Sequence, residues 1–371
     1  MLKAGFIGFG RMGITHYSIL NSHPSVKIAA IADTSKTMRG LLAKYLEVDT
    51  FTDYQQMIQK HALDFVVIST PTDSHADVIS FAIDHNLHVF AEKPLAMTPV
   101  ESERLVERIG KKPLVNQVGY VNRFNEVFME VKRLLHAGAI GEIKNFSSEM
   151  YGATVLKGSN STWRSKRSLG GGCMYEFASH CLDLVVYLLG QPERVAGSVL
   201  KSIYSSHVED MVTSTLIYPN GISGTINVNW SDETYRKPAN IVTVFGTRGK
   251  IVADKHAYKI FLKDDLAYEG FHQGWNTRYI TEFAHPVRFY VRGNEFTRQL
   301  DYFVDAILEE QSDNISGFSQ AHKTDLLMSS IVADFQKSAS TKISGQFIAN
   351  STRGSEPNLT LWQKIIKRIG D

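Results

Sequence analysis

The chain has 371 residues, of which 43% are hydrophobic, and its formal net charge at pH 7 is +2. This length predicts two domains. The near-neutral charge gives no indication of a nucleic-acid or anionic membrane partner, and no apolar run is long enough to span a bilayer.

Two further features bear on the cellular compartment. The first residues show no signal-peptide pattern, and the only cysteines, Cys173 and Cys181, lack the spacing of metal ligands or of a redox pair. We therefore expect both cysteines to be small buried residues and the protein to be cytoplasmic.

The first predicted elements enclose a glycine-rich loop. Residues 3–9 form an apolar, strand-like run, and residues 11–22 carry apolar side chains at helical spacing. Gly8, Gly10 and Gly13 lie where the two meet, in the order strand, G-x-G-x-x-G, helix that is typical of dinucleotide binding. Gly8 permits the tight turn, Gly10 the approach of a pyrophosphate, and Gly13 close packing of the helix on the strand.

The same fingerprint requires an acid about 20 residues further on. Asp33 supplies it at the carboxyl end of the next predicted strand, residues 26–33. Its carboxylate can accept hydrogen bonds from both ribose hydroxyls but would repel a 2′-phosphate. Thr34 and Ser35 follow it, where an NADP enzyme would be expected to carry an arginine. The sequence therefore predicts NAD as the cofactor.

Strand-like and helix-like segments continue to alternate up to about residue 122, which predicts a Rossmann domain with a doubly wound parallel sheet. The further strands are predicted at 65–69, 87–91 and 114–121, and the helices at 74–85 and 99–110. Ligands lie beyond the carboxyl ends of such strands. The candidate cofactor-binding residues are Gly8, Gly10, Arg11, Met12, Gly13, Asp33, Thr70, Pro71, His75, Glu92, Lys93 and Gln117.

Lys93 is of special interest because it directly follows an apolar strand and precedes Pro94. At this edge of the sheet a lysine can hydrogen-bond a substrate hydroxyl. Position alone allows a solvated surface lysine equally well.

The pattern changes in the second predicted domain, residues 123–344. After a helix at 124–136, most segments are strand-like and several alternate polar with apolar residues, which predicts an α+β domain with a large, open, mostly antiparallel sheet. These strands are predicted at 143–151, 194–204, 211–218, 222–230, 240–246 and 250–254.

Within this domain three glycines, 170–172, precede an amphipathic helix that ends at Gly190. Glu176, His180 and Asp183 have the spacing i, i+4, i+7, which predicts one stripe of titratable groups suited to acid–base chemistry. A metal site is a weaker interpretation, because there is one histidine only, and no metal is predicted. An acid at a helix start with a core histidine is the structural alternative.

Three features together resemble one family. They are the glycine fingerprint followed by His16, the Glu-Lys-Pro sequence at 92–94, and the triple glycine followed by acid-x₃-His-x₂-Asp. The resemblance is to the glucose–fructose oxidoreductase, inositol dehydrogenase and rhizopine-catabolism (Gfo/Idh/MocA) family, and it extends from Met1 to about Ser340. It implies a Rossmann domain, an α/β domain whose open sheet forms a homodimer or homotetramer, and NAD(P)-linked oxidation of cyclic polyols, sugars or nucleotide-linked sugars.

By the same resemblance Lys93, Glu176 and His180 take the catalytic positions, with His180 as the base and Lys93 hydrogen-bonded to the reacting oxygen. The candidate substrate residues are Arg123, Trp163, Arg164 and Asp183. The chain departs from the family pattern at Glu176, usually Asp, and at Ala178, often Gly. The longer side chain of Glu176 puts its contact with substrate in question.

Two other functions stay open. One is a glycosidase of the same family that retains its NAD and acts by transient oxidation, and the other is a non-catalytic, NAD-responsive binding protein.

The C-terminal region, residues 345–371, is predicted to lie outside the catalytic core. Residues 346–358 read as a linker, and 359–369 as a basic amphipathic helix that packs on its own or a neighbouring subunit. Binding of this helix to a membrane surface is the alternative.

Overall fold

The computed structural model describes residues 1–155, 163–266, 269–311 and 313–339. The predicted C-terminal linker and helix lie outside the described residues. In the described part of the chain no helix is both long enough and apolar enough to cross a lipid bilayer.

A six-stranded parallel sheet forms the first half of the fold, as the sequence predicted. Its strand order is β3-β2-β1-β4-β5-β6, with the reversal of order between β1 and β4. The elements are β1 (Leu2–Ile7), α1 (Arg11–Asn21), β2 (Val26–Ala32), α2 (Lys36–Tyr45), β3 (Asp49–Phe51), α3 (Tyr54–Lys60), β4 (Phe65–Ile68), α4 (His75–Asp84), β5 (His88–Ala91), α5 (Pro99–Ile109) and β6 (Asn116–Val118).

Local sequence explains several of these boundaries. Helix α5 begins at Pro99 with a capping box, in which the Thr98 hydroxyl accepts a hydrogen bond from the Glu101 backbone N–H and the Glu101 carboxylate accepts one from the Thr98 backbone N–H. The elements α2, β3 and α3 were not predicted. For β3 the reason is its length, because a three-residue strand gives no periodic signal.

An eight-stranded sheet forms the second half, in the order β14-β13-β12-β11-β7-β10-β9-β8. All of its neighbouring pairs are antiparallel except β7 with β10, so the predicted class is confirmed. The elements are α6 (Glu126–His136), β7 (Ile143–Tyr151), α7 (Ser179–Leu189), β8 (Arg194–Lys201), β9 (Met211–Ile217), β10 (Ser223–Asn229), β11 (Ala239–Gly246), β12 (Gly249–Ala253), β13 (Ala257–Leu262) and β14 (Gly274–Tyr279).

Among the described residues, helices pack on one face of this sheet. Ile226 and Val228 of β10 face the core that α6 and α7 complete. Asn227, which lies between them, is less buried. Both cysteines are free and lie in this core, as predicted. Phe245 and Trp275 are large exposed side chains of the same sheet.

Two helices near the end of the described chain connect the halves. Phe303 of α8 (Asn294–Leu308) packs against Phe65 and Phe90 of the first sheet, with ring centroids 5.5 and 5.8 Å apart. Helix α9 (Phe318–Ala339) contributes Phe318 to the first core and Ile331 to the second. The first core is therefore completed by residues far along the chain, while the division at 122 and 344 stays a prediction.

Candidate active site

The glycine loop between β1 and α1 fits a dinucleotide. Gly8 has a positive φ of 82°, and a Cβ there would lie 2.9 Å from the backbone of Ser69 and Thr70. A Cβ on Gly13 would lie 2.4 Å from the carbonyl oxygen of Gly8. A Cβ on Gly10 would meet no atom within 4 Å, so the space beside this residue is open. The packing of the loop thus requires two glycines and leaves room for a ligand at the third.

Asp33 is held rigidly at the end of β2. Its carboxylate accepts hydrogen bonds from the backbone N–H groups of Phe9 and Ser35, both at 2.7 Å. The guanidinium of Arg39 donates to the carbonyl oxygen of Asp33 at 2.6 Å. An arginine is therefore present beside Asp33, although the residues directly after it did not indicate one.

The loops after β4 and β5 are tied together by His75. Its buried ring contacts the carbonyl oxygens of Pro94 at 3.0 Å and of Thr70 at 3.1 Å, and burial lowers its pKa. Thr70 and Pro71 lie at this edge of the sheet. His75 therefore positions both loops, and neither ring nitrogen is directed at open space.

Glu92 and Lys93 follow β5 directly but have different partners. Oε1 of Glu92 lies 2.7 Å from Nε2 of His16, which belongs to α1 and is fully buried. Nζ of Lys93 donates to the carbonyl oxygens of Tyr175 and Glu176 at 3.2 and 3.3 Å, and lies 3.5 Å from Oε1 of Glu176. The ammonium group of Lys93 thus reaches the second domain.

Glu176 lies in a π-helical turn, Met174–Ala178, that precedes α7. Such turns are common at functional sites because they redirect side chains. Oε2 of Glu176 lies 3.1 Å from Nε of Arg164, whose guanidinium also lies over the ring of Trp163. Burial raises the pKa of Glu176, but Lys93 and Arg164 outweigh it and leave the pKa below its usual value. Glu176 is therefore ionised between two cations.

His180 lies at the start of α7, one turn after Glu176. Its pKa is far below the usual value, first because of burial and then because of the positive charges of Lys93 and Lys255. Nδ1 of His180 has no hydrogen-bond partner among the described residues. The ring is thus neutral at physiological pH, which is the state that a general base requires.

Asp183 points away from this group, although its spacing predicted one stripe with Glu176 and His180. Arg123 donates to it through Nε at 3.0 Å and through Nη2 at 2.7 Å, and both residues are almost fully buried. His180 and Asp183 both lie in α7, after the π-turn, so it is the ion pair with Arg123 that engages the Asp183 carboxylate elsewhere. The guanidinium of Arg123 and the carboxylate of Asp183 thus bind each other and do not face open space.

Gln117 is likewise engaged inside the protein. Its amide nitrogen donates to the carbonyl oxygen of Gln299 at 2.6 Å, and its amide oxygen accepts from Asn314 at 2.9 Å. This side chain therefore links β6 to α8 and to the segment that follows α8.

Lys255 is a residue that sequence reasoning missed. It lies in the turn between β12 and β13, its Nζ is 3.8 Å from Oε1 of Glu295, and its charge acts on His180. A lysine in a surface-like turn carries no local signal of a site. Its position depends on tertiary packing, in which the turn that carries it meets Glu295 of α8.

Two family models match this chain. Residues 2–120 match the model of the oxidoreductase family with an NAD-binding Rossmann fold, and residues 128–252 match the GFO/IDH/MocA C-terminal domain. Together the two matches cover more than half of the chain.

Two dehydrogenases and a hydratase match this chain at 26% to 29% identity. An inositol 2-dehydrogenase of Salmonella typhimurium is 28% identical over 196 residues, which are 51% of this chain and 55% of the relative. A scyllo-inositol 2-dehydrogenase (NAD(+)) of Bacillus subtilis is 29% identical over 191 residues, 51% of this chain and 54% of the relative. A 2,7-anhydro-N-acetylneuraminate hydratase of Escherichia coli is 26% identical over 68% of each chain. The match thus spans about half the length of the two dehydrogenases.

The fold is shared with solved structures over most of its length. Levoglucosan dehydrogenase in complex with NADH and levoglucosan superimposes with a TM-score of 0.79 at 23% identity, over 91% of this chain and 97% of that chain. At 23% identity, this likeness shows a shared fold.

Proposed function

We propose that this chain, which belongs to the Gfo/Idh/MocA family of oxidoreductases with an NAD-binding Rossmann fold, is an NAD-dependent dehydrogenase acting on a secondary hydroxyl group. The substrate class that we propose is a cyclic polyol, a sugar or a nucleotide-linked sugar. The names of the inositol dehydrogenases and of levoglucosan dehydrogenase support this class.

One observation carries the proposal. Lys93 of the first domain donates to the backbone carbonyl oxygens of Tyr175 and Glu176, about one turn before His180. Burial and then the charge of Lys93 lower the pKa of His180. Oxidation of an alcohol needs a base for the hydroxyl proton and a donor for the oxygen that gains negative charge. Lys93 and His180 have these two properties.

When bound, NAD would be held by the glycine loop and Asp33 and would supply the acceptor for the hydride that leaves the substrate carbon. His180 takes the hydroxyl proton on a neutral ring nitrogen, and Lys93 donates a hydrogen bond to the same oxygen while the carbonyl forms. Glu176 holds the ammonium group of Lys93 in place through the contact at 3.5 Å. The products are a ketone, NADH and a proton, so that charge and electrons balance.

The test is a screen for NADH formation at 340 nm with inositols, hexoses, 1,6-anhydrosugars and nucleotide-linked sugars, with the Lys93→Met variant as control. Turnover of any of them by the wild type alone supports the proposal. No turnover with the whole panel, by a protein that binds NAD, would count against it.

A second candidate is a lyase or hydrolase reaction that leaves no net NADH. The relative named as a 2,7-anhydro-N-acetylneuraminate hydratase favours it, since it matches 68% of this chain. Product analysis by mass spectrometry of anhydrosugars and glycosides, at constant absorbance at 340 nm, distinguishes this reaction from the dehydrogenase. A protein that binds NAD and converts nothing in either assay fits the non-catalytic alternative.

We also propose that the open face of the second sheet binds a second copy of the chain. Phe245, Trp275 and Tyr279 expose 48%, 58% and 58% of their surface there, and exposed aromatic side chains of this size mark protein interfaces. Light scattering decides this: the wild type is expected to be a dimer or tetramer, and Trp275→Lys to shift it toward the monomer. A monomeric wild type would contradict the proposal.

A further inference from the structure

Arg292 lies at the glycine loop although the two are remote in sequence. Its Nη1 is 3.6 Å from Sδ of Met12, 280 residues away, and its guanidinium carbon is 5.2 Å from the centre of the Phe296 ring. Met12 lies in the first turn of α1, the helix that begins directly after Gly10. Two uncharged side chains thus hold a guanidinium beside the start of this helix.

Several cations are gathered around this position. Partial burial and then the charge of Arg11 lower the pKa of Arg292, while Glu92 acts in the opposite direction. Arg292 in turn contributes to the lowered pKa of Lys255, after burial and against Glu295. Like charges brought together repel one another, and a bound anion would relieve this repulsion.

The nearby carboxylates have other partners. Glu92 contacts His16 at 2.7 Å, and Glu295 contacts Lys255 at 3.8 Å. Within the described part of the chain, no carboxylate forms an ion pair with Arg292.

The start of α1 also has no anion of its own. Its first turn contains no acidic residue, and no side chain caps it. The N–H groups of a first turn attract negative charge, and the space beside Gly10 is open. A guanidinium that forms no ion pair with the described residues, a helix start without a side-chain cap and an open space thus meet at one point.

We propose that Arg292 is a cofactor-binding residue that contacts the pyrophosphate of the dinucleotide, so that residues far apart in the chain bind this group together. The proposal goes beyond the proposed dehydrogenase function and depends only on NAD binding. A pyrophosphate carries two negative charges, and a guanidinium donates to phosphate oxygens in a matching geometry. An anionic group of the substrate is the other possible ligand. We favour the pyrophosphate because Arg292 contacts Met12 directly.

The experiment measures binding without substrate. NADH affinity is obtained by fluorescence titration for the wild type and for Arg292→Gln, and ADP and adenosine are tested as competitors. The matched control is Arg248→Gln, which removes an exposed arginine 3.6 Å from Asp264 in the turn after β11.

We expect Arg292→Gln to weaken NADH and ADP by about tenfold or more, because hydrogen bonds to charged groups are strong. Adenosine, which lacks the pyrophosphate, should bind both proteins equally, and Arg248→Gln should behave as the wild type. Unchanged NADH and ADP affinities in Arg292→Gln would overturn the proposal, and weaker binding of an anionic substrate alone would assign Arg292 to the substrate.

Thermal unfolding separates this role from a structural one. Loss of a repelled charge should leave the unfolding midpoint of the ligand-free protein unchanged or raise it, whereas the increase that NADH produces should shrink. A lower ligand-free midpoint with a full NADH shift would show a structural role and contradict the proposal. A wild type that binds NADH without turnover would refute the dehydrogenase function but leave this inference standing.

Discussion

Nζ of Lys93 lies 3.5 Å from Oε1 of Glu176, although 83 residues separate the two in the chain. Lys93 follows β5 of the parallel sheet, whereas Glu176 lies in the π-turn of the second domain. This contact joins the two domains at the edge of the parallel sheet where its strands have their carboxyl ends. The charge of Lys93 therefore acts on both groups: against the effect of burial it lowers the pKa of Glu176, and together with burial it lowers the pKa of His180.

The first prediction concerns Lys93 and His180. Lys93→Met and His180→Ala should each lower hydride transfer by about 10²–10⁴-fold, the usual contribution of acid–base groups. NADH affinity should change much less, since neither residue is assigned to the pyrophosphate or the adenosine. Single-turnover absorbance at 340 nm and fluorescence titration measure the two effects. The double variant should lose less than the product of the single losses. Near-normal hydride transfer in both single variants would mean that the chemistry lies elsewhere.

The second prediction concerns pH. His180 acts as a base only when it is neutral, and burial, Lys93 and Lys255 hold its pKa well below the usual value. Activity should therefore persist at pH values at which an ordinary histidine is protonated. Lys255→Gln removes one of these charges, so the pKa of His180 should rise and the acidic limb of kcat/KM should move to higher pH. Lys263→Gln, which changes an exposed lysine in a neighbouring turn, serves as control. An unshifted acidic limb in Lys255→Gln would argue against His180 as the base.

The third prediction concerns the choice between NAD and NADP. The carboxylate of Asp33 should disfavour a 2′-phosphate by more than about tenfold, because each hydrogen bond to a charged group is strong. Arg39 lies close enough to change this, as it donates to the carbonyl oxygen of Asp33 at 2.6 Å. Asp33→Ser should therefore improve binding of NADPH, and Arg39→Gln in the same background should abolish the gain. Equal affinity of the wild type for NADH and NADPH would refute the role given to Asp33.

The fourth prediction concerns the pair of Arg123 and Asp183. Asp183→Asn would leave a buried guanidinium without its counter-charge, so we expect a loss of about 3–5 kcal/mol in the free energy of unfolding. The control is Asp264→Asn in the exposed pair with Arg248, where the loss should be about 0–1 kcal/mol. Urea unfolding measures both. If Asp183 contacts substrate instead, the substitution should raise KM and leave stability nearly unchanged.

Local patterns were sufficient to predict much of the fold. The glycine spacing at Gly8, Gly10 and Gly13, the strand before it and Asp33 after it predicted the parallel sheet, because these constraints act over a few residues. Alternation in strands such as β10 predicted the open sheet in the same way. The short β3 and the last strands, β13 and β14, gave no comparable signal.

Long-range packing decided the rest of the site. The sequence singled out Lys93, Glu176 and His180, but their contact depends on how the second domain docks on the first. Asp183 is bound by Arg123, 60 residues away, which no helical spacing could indicate. Arg292 and Lys255 lie in a loop and a turn, and they reach the glycine loop and His180 only because α8 completes the first core. The sequence therefore determined the elements and the chemistry at their ends, since these depend on neighbouring residues. The tertiary structure decided which charges meet, because that depends on contacts between residues up to 280 positions apart.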